Sequence, residues 1–598
     1  MEEINALQLE EPGQAPDRST NRKDIPLSLE MVAALAVSLY FLYCSLEHPF
    51  QPDLFYMIKS GGEFWRTKGV IEQYPFSWVP PECTVTWINY QWLAHLILWL
   101  LYSLWGLYAV AVFKSLLYGA GYLLMLRHAS AKSGYLAAIL SIFPAILLGK
   151  VYFLERPMAF TSLFFSLLAY MLFTIERTSL RFYHWIAFPA IFAVWVNMHG
   201  GFLPGLVFVL IAFAFLSVRD FIRLKGSAGR LITAASLSAV WLMCLLSTLF
   251  LTPYGTMIFQ SAVDFIFLRP VFINVAGDMI SPLKEPAAFI PFLAISLVTT
   301  LFVVFSLIKG SHRFTAMELF VYFFWLLFAL RAQRNVQIYS AAAVPAMALI
   351  IHRGLEFISL GLSKRSLATR LRPAGEVLKL TAFIALLALC FCLVFTTDFS
   401  GKSYERRIMP SRLKDFLLEN RLPSKIYCYD VIGDYLMFYL YPRYKVSLDS
   451  SWNMCYSDRY FIEISRSYGN RDEFFAFINK YGLDTIILHK KPSFLDGVPG
   501  WLLIYEGEGC RVFLRESPEN REIVERFEKD LLVYPDTYEV SSFLFERHAT
   551  MGDLRTARKY LLKLIEANPE EKVLRENLQA IDRELEKSGG KQPGKAGD

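Results

Sequence analysis

The stretch ERPMAFTSLFFSLLAYMLFTIER, residues 155–177, sets an uncharged apolar run, Met158 to Ile175, between two charged turns. As a helix rising about 1.5 Å per residue, the run approaches the ~30 Å hydrocarbon core of a bilayer. Similar runs lie near Leu27 to Leu46, Leu107 to Leu126, Tyr135 to Tyr152, Trp185 to Val196, Phe202 to Val218, Leu231 to Leu251, Ala287 to Ile308, Phe314 to Leu330, Val336 to Ile351 and Leu378 to Phe395. Together they predict a polytopic α-helical membrane protein with about 11–12 transmembrane helices. Composition agrees: of 598 residues, 55% are hydrophobic and only 19% charged, more apolar surface than a soluble fold could hide. The net charge of +6 is spread over loops and both ends, so it says little about nucleic acid, which is not expected as a partner, and the membrane explains it better.

The charged turns also set the sidedness. The clusters Arg127/His128/Lys132, Arg177/Arg181, Arg219/Arg223/Lys225/Arg230, Lys309/His312/Arg313 and Arg353/Lys364/Arg365/Arg370/Arg372 follow alternate helices, so all five can be cytoplasmic together. Residues 1–24 are polar, and Arg22 and Lys23 stand just before the first apolar run, which reads as a cytoplasmic tail and an uncleaved anchor. Only one crossing then fits between Trp92 and Leu126, so Trp92 to Leu104 is expected to be a re-entrant or surface helix. The transmembrane domain is expected over 25–397, with its first extracytoplasmic loop at 48–90.

After Ser411 the apolar runs shorten and turn residues multiply. Lys425 to Tyr429, Lys445 to Leu448, Thr485 to His489, Trp501 to Tyr505 and Cys510 to Leu514 read as strands. Arg412 to Glu419, Asp434 to Tyr439 and Asp472 to Tyr481 read as helices, and the alternation predicts a small extracytoplasmic α/β domain over 411–530. Residues 531–587 read as a TPR-like helical hairpin around Gly552-Asp553, which must lean on a neighbour to bury its face, and 588–598 as a disordered tail. Cys83, Cys428, Cys455 and Cys510 lie in polar segments without zinc spacing, and a disulfide among them stays open.

The outer-face loops collect most residues capable of chemistry. Asp53, just beyond the first helix, could deprotonate a hydroxyl or, with Glu155, help hold a divalent cation such as Mg or Mn; its ordinary reading is a helix N-cap. Arg156, Arg331 and Arg334 stand at an edge that needs no positive charge under the orientation rule, and guanidinium groups suit phosphate oxygens. Asn197 and His199, in Trp195-Val196-Asn197-Met198-His199-Gly200-Gly201, could bond a phosphate or a sugar hydroxyl, as against a plain tight turn. Tyr254 and Asp278 offer a phenol and an acid for sugar or acceptor, as against an interfacial turn. No P-loop, dinucleotide fingerprint or nucleophile elbow is present.

An ordered set of short patterns runs from Pro52 to about Leu514: Pro52-Asp53-Leu54, Pro75-Phe76-Ser77, Trp92-Leu93, Arg156-Pro157, Asn197 with His199-Gly200-Gly201-Phe202, Pro253-Tyr254-Gly255, Arg334-Asn335, Gly433-Asp434-Tyr435-Leu436 and Leu448-Asp449. In this order they resemble a bacterial group of the GT-C superfamily, membrane glycosyltransferases that use polyprenyl-phosphate sugars. The resemblance implies that Asp53 is the catalytic base and that Arg156, His199, Arg331 and Arg334 hold the donor phosphate. It further implies a bacterial inner (cytoplasmic) membrane protein whose partners are the polyprenyl-phosphate sugar donor, membrane lipids and a glycan, lipid or protein acceptor. The chain departs from the group in three places. Tyr74 stands where an Asp precedes Pro-Phe-Ser, Gln91 where a Glu precedes Trp-Leu, and Ser450-Ser451-Trp452 where Gly-Arg follows the Asp. The loss of two acids weighs against metal dependence. Two other readings compete with sugar transfer: a non-catalytic carrier-binding or assembly protein of surface polysaccharide biogenesis, and a lipid-linked glycan flippase or polymerase. The latter needs polar groups along the bundle interior that these nearly uncharged helix centres lack.

Overall fold

A computed structural model of the chain describes residues 29–46, 51–69, 71–223, 227–264, 277–310, 314–363, 410–489 and 493–589. Apolar runs become helices α1 (Leu29–Leu46), α2 (Asp53–Thr67), α3 (Trp92–Gly149), α4 (Met158–Thr178), α5 (Phe182–Trp195), α6 (Phe202–Arg223), α7 (Ser227–Phe250) and α8 (Met257–Val263). There follow α9 (Ile290–Ile308), α10 (Ala316–Arg331), α11 (Val336–Ala342) and α12 (Val344–Ser363). The result is a multi-pass membrane protein. Among the described residues, however, five helices are long and apolar enough to cross a bilayer, or six if the pair Gln333–Ala342 and Val344–Phe357, bent by 52°, is one span. The larger expected number counted apolar runs. Those near Ala33–Ser45 and Phe182–Trp195 form shorter helices, and the run Leu378 to Phe395 lies outside the described residues.

Helix α3 is continuous only in its hydrogen bonding. Its backbone leaves helical geometry at Trp105 and Gly106, where Gly106 has φ 62°, and again at Gly134, with φ 75°. Left-handed backbone is nearly free for glycine and costly for other residues, so these two glycines divide the helix into three pieces. The first piece, Trp92 to Leu104, is about 20 Å long, too short to cross alone. It lies along α2 instead. A side chain on Gly61 would run into the His95 carbonyl, and Gly62 rests against the Trp99 indole. Leu104 and Trp105 stay exposed at its end, as interfacial anchors do. At the opposite edge, Thr315 and Glu318 form a capping box that starts α10, and Glu318 also binds His128 Nε2 (2.6 Å) and Lys132 Nζ (2.7 Å). A basic turn read as cytoplasmic is thereby tied to the helix that follows another such turn.

The C-terminal part holds helices α13 (Leu413–Asn420), α14 (Asp430–Leu440), α15 (Trp452–Cys455), α16 (Asp458–Gly469) and α17 (Arg471–Lys480). Its strands are β1 (Lys425–Tyr427), β2 (Lys445–Val446), β3 (Thr485–His489), β4 (Trp501–Gly507) and β5 (Cys510–Arg515). They form one sheet in the order β2-β1-β3-β5-β4, parallel across β2-β1-β3 and antiparallel across β3-β5-β4. After a short helix, α18 (Arg521–Glu528), the expected hairpin is a run of three helices: α19 (Tyr538–Thr550), α20 (Leu554–Ala567) and α21 (Lys572–Gly589). Helix α21 continues through Ser588, where a tail was expected. Val540 and Leu544 of α19 join the core of the sheet, which gives the helical run its neighbour.

The first loop and the α/β domain share that core. Leu54, Phe55, Tyr56, Met57 and Ile58 of α2 are buried in one cluster with Phe76, Trp87, Phe416, Ile426 and Leu436. The Phe55 ring sits 5.1 Å from that of Phe438 and 6.2 Å from that of Tyr435. Lys59 Nζ donates to the carbonyl of Phe438 at 3.2 Å, Ser77 Oγ donates to that of Val446 at 2.8 Å, and Trp78 Nε1 donates to that of Ile426 at 2.9 Å. The sheet and α14 therefore hold α2 in place, and with it the carboxylate at its start. None of the six described cysteines forms a disulfide.

Candidate active site

Asp53 is the first residue of α2 itself; the N-cap is Pro52, which offers no side-chain bond. A carboxylate here faces the positive end of the helix dipole. Its Oδ2 lies 2.9 Å from Arg156 Nε, while Oδ1 is buried without a hydrogen-bond partner. Burial pushes the Asp53 carboxyl above its ordinary value, with Arg156 opposing and Asp278 adding to the rise. A raised carboxyl pKa makes the carboxylate a stronger base than an ordinary one.

Arg156 links this acid to the next. It stands in the turn before α4, with Nη1 3.6 Å from Asp278 Oδ2 and Nη2 donating to Gln51 Oε1 at 3.3 Å. Arg334 Nη1 lies 4.0 Å from the same Asp278 oxygen, and its Nη2 meets Met279 Sδ. Asp53, Arg156, Asp278 and Arg334 thus form a chain of alternating charge, drawn from four separate turns. Neighbouring groups fix those turns. Glu155 pairs with Lys114 of α3 in a buried ion pair, the Tyr118 hydroxyl donates to Gln337 Oε1 at 2.7 Å, and the Tyr152 hydroxyl donates to Gln333 Oε1 at 2.7 Å. Gln333 in turn donates through Nε2 to Glu285 at 3.0 Å and through its backbone to the Ile280 carbonyl at 2.9 Å.

His199 has a defined tautomer. Its Nδ1 accepts from the Gly201 backbone N–H at 3.0 Å and contacts Thr161 Oγ1 at 2.8 Å, while Thr161 itself accepts from Trp195 Nε1 at 2.9 Å. Nδ1 is therefore the acceptor, the proton resides on Nε2, and that N–H is left to donate elsewhere. Burial and the nearby Arg334 push the imidazole down to about 3, so it is neutral near pH 7.

The other expected residues take different positions. Asn197 is a strut: its Nδ2 donates to the carbonyls of Ala193 (2.9 Å) and Leu251 (2.7 Å), and its Oδ1 accepts from Trp92 Nε1 (2.8 Å). Tyr254 is buried against the backbone of Asn89. Arg331 is exposed at the end of α10, outside the charge chain. Glu155 is committed to Lys114, although its Oε2, like Asp53 Oδ1, is buried and unpartnered. Each of these oxygens could serve a divalent cation as a ligand. Among the described residues neither belongs to a group of three or more carboxylate, thiol or imidazole ligands, while Mg is commonly held by one or two carboxylates with waters and substrate phosphates completing its shell. No step below uses a cation.

A second pair of acids comes from the α/β domain. Asp434 accepts from the Ser450 backbone (3.0 Å) and hydroxyl (2.5 Å); Asp449 accepts from the Ser451 backbone (2.8 Å), the Ser451 hydroxyl (2.5 Å) and the Tyr456 hydroxyl (3.1 Å). Both are fully buried. Burial and Asp449 push Asp434 well above the usual carboxylate range, and Asp53 adds to the rise, so the pair lies within electrostatic reach of the first acid. Gly433 makes the arrangement possible, because a Cβ there would collide with the Leu448 carbonyl. Two of the three departures from the GT-C pattern meet here: Tyr74 packs on Tyr456 beside Asp449, and Ser450 and Ser451 supply the hydroxyls.

No family model matches the chain, and no curated protein does. Among solved structures it is similar to ArnT from Cupriavidus metallidurans bound to undecaprenyl phosphate, at 12% identity over 81% of this chain and 97% of that one, with a TM-score of 0.46. It is also similar to the apo oligosaccharyltransferase of Archaeoglobus fulgidus, at 12% identity over 77% of this chain and 69% of that one, with a TM-score of 0.48. Both are GT-C membrane glycosyltransferases.

Proposed function

We propose that the chain is a membrane glycosyltransferase that moves a sugar from a polyprenyl-phosphate donor to an extracytoplasmic acceptor, with inversion. The observation that carries this reading is the state of Asp53: a largely buried carboxylate with one oxygen unpartnered and the other held by an arginine that also serves Asp278. In the proposed step, Asp53 takes the proton of an acceptor hydroxyl, whose oxygen attacks the anomeric carbon. The bond from that carbon to the phosphate oxygen breaks, and the electron pair leaves with the polyprenyl phosphate. A single displacement inverts the centre. Arg156, Arg334 and the Nε2–H of His199 receive the charge that grows on the leaving phosphate, where oriented donors lower a barrier most.

Donor binding would also prepare the base. With Lys114 and Glu155 included, the cluster sets three acids against three bases, so an arriving phosphate competes with Asp53 for Arg156. As the guanidinium turns toward the phosphate, Asp53 loses its opposite charge and becomes more basic. The orientation proposed is N-terminus cytoplasmic and soluble domain extracytoplasmic, in a bacterial inner membrane; the alternating basic clusters support it.

The test is mass-spectrometric: purified wild-type and Asp53→Asn proteins are incubated with a panel of polyprenyl-phosphate sugars and cell-envelope extract. Donor loss in the wild type that vanishes in the variant supports transfer with Asp53 as base. Donor binding without consumption in either protein replaces the reading with a non-catalytic carrier-binding role.

A further inference from the structure

The first piece of α3 carries an apolar row whose two halves end differently. Leu93, Ile97, Leu100 and Leu104 recur at the spacing that places them on one face of a helix. At the start of the row, Leu93 and Ile97 pack against the core of the transmembrane bundle. On another side of the same helix, Leu98, Leu101 and Tyr102 pack with the core shared by α2 and the sheet. The row itself runs on uncovered: Leu100 is 39% exposed and Leu104 80%, followed by Trp105 at 71%. Directly beyond Gly106 the second piece of α3 begins, Leu107 to Ser133, roughly 40 Å long and able to cross the bilayer. A row that is continuous with the bundle's packing face and ends where a crossing starts lies at the bilayer surface, and lipid covers its exposed half.

The end of α2 supplies the polar side of this surface. Trp65, 47% exposed, stacks on Trp99 at 5.5 Å between ring centres, one position before Leu100. Lys68 Nζ lies 3.5 Å above the Trp65 ring centre. The Arg66 side chain, its Nε on Glu63 Oε2 at 2.8 Å, is 68% exposed. Both cations offset the helix dipole at the end of α2. Lys68, however, closes the helix in left-handed backbone, with φ 56°, a place that glycine fills at little cost and where Gly69 comes one residue later. The lysine side chain repays that cost on the indole face, which fixes its ammonium beside the uncovered row. Indole rings at an apolar boundary, with exposed cations next to them, are the groups that meet lipid headgroup phosphates.

We infer that the end of α2 and the first piece of α3 form a binding surface for an anionic glycerophospholipid, its phosphate on Arg66 and Lys68 and its acyl chains along Leu100 and Leu104. The inference goes beyond the proposed sugar transfer and does not rest on it.

The experiment titrates phosphatidylglycerol or phosphatidylcholine, with identical acyl chains, into the full-length protein in detergent and follows bound lipid by native mass spectrometry. Phosphatidylglycerol is expected to bind the wild type more tightly than phosphatidylcholine. Arg66→Gln/Lys68→Gln, both at exposed positions, is expected to weaken phosphatidylglycerol by about tenfold, as loss of two basic groups at a lipid surface would, and to leave phosphatidylcholine unchanged. In nanodiscs, phosphatidylcholine brominated on its acyl chains is expected to quench tryptophan fluorescence, and the quenched part to shrink in Trp105→Phe. Equal affinity of the wild type for the two lipids, or undiminished phosphatidylglycerol binding in the double variant, overturns the inference. So does a loss of phosphatidylglycerol in Arg156→Gln that the double variant does not share, which would place the lipid in the charge chain, or quenching that Trp105→Phe leaves unaltered. Failure of donor turnover in the wild type would overturn the transferase reading while leaving the lipid surface intact.

Discussion

Replacing Arg156 with glutamine separates two tasks that the proposed step gives to one side chain. Its guanidinium lies 2.9 Å from Asp53 and 3.6 Å from Asp278, and in the proposed step it turns to the phosphate. Loss of a charge-assisted bond to that phosphate costs about 1.5–3 kcal/mol, roughly 10- to 100-fold in kcat/KM at the pH plateau. The second effect concerns pH. Asp53 must be deprotonated to act, burial already raises its pKa, and Arg156 is the group that opposes the rise. Without it the carboxyl holds its proton to higher pH, so the acidic limb of the profile moves upward by about one pH unit, as expected for loss of an opposite charge at contact distance. Arg334→Gln, whose partner is Asp278 at 4.0 Å, is expected to lower the plateau with less movement of the limb. The assay is donor consumption in nanodiscs from pH 5 to 9, fitted for kcat/KM. A plateau loss in Arg156→Gln with an unmoved limb, or a limb displaced toward acid, would refute the pairing of this arginine with the catalytic carboxylate.

Other outcomes follow from neighbouring groups. His199→Gln, which keeps an N–H donor, is expected to retain activity within about tenfold, whereas His199→Ala falls by up to about 100-fold; equal losses would mean that the imidazole does not act through its donor. Lys114→Met leaves Glu155 buried beside no cation and should destabilise the detergent-solubilised protein by about 3–5 kcal/mol, while Lys114→Met/Glu155→Met recovers most of it; a single variant as stable as wild type would contradict the buried pair. Burial and Asp449 raise the pKa of Asp434 in the folded protein, so its contribution to stability is fully present below the ordinary carboxylate pKa and is lost as pH rises through the raised value. Wild-type unfolding temperature should therefore decline across that window more steeply than that of Asp434→Asn; parallel curves would show that Asp434 does not carry the dependence.

Parts of this architecture were legible in the residues because the signals are local. The strands and helices expected between Arg412 and Leu514 lie within a few residues of those observed, since turn residues bound each short apolar run. The break after Leu104 was readable from charge alternation, because only one crossing fitted between Trp92 and Leu126. Helix α16 was missed although Ser457 announces it: its hydroxyl accepts from the Tyr460 N–H at 3.3 Å in an ordinary N-cap. The role of Asn197 was not readable, because its partners Trp92 and Leu251 are distant in sequence and a polar turn at a membrane edge looks alike whether it binds a sugar or braces a helix. Asp434 and Asp449 were visible as motif residues, but their nearness to Asp53 depends on packing between α2 and α14, which no periodicity encodes.

That packing has a consequence in time. Lys59 of α2 bonds the carbonyl of Phe438, 379 positions later, so the platform beneath Asp53 is synthesised long after Asp53 itself. A nascent chain that has inserted its helices but not yet folded residues 410 onward holds a carboxylate without its support. Under the proposed function, competence for chemistry would thus arrive last, once the trailing domain has folded, and an interrupted product would remain in the bilayer as an inert bundle.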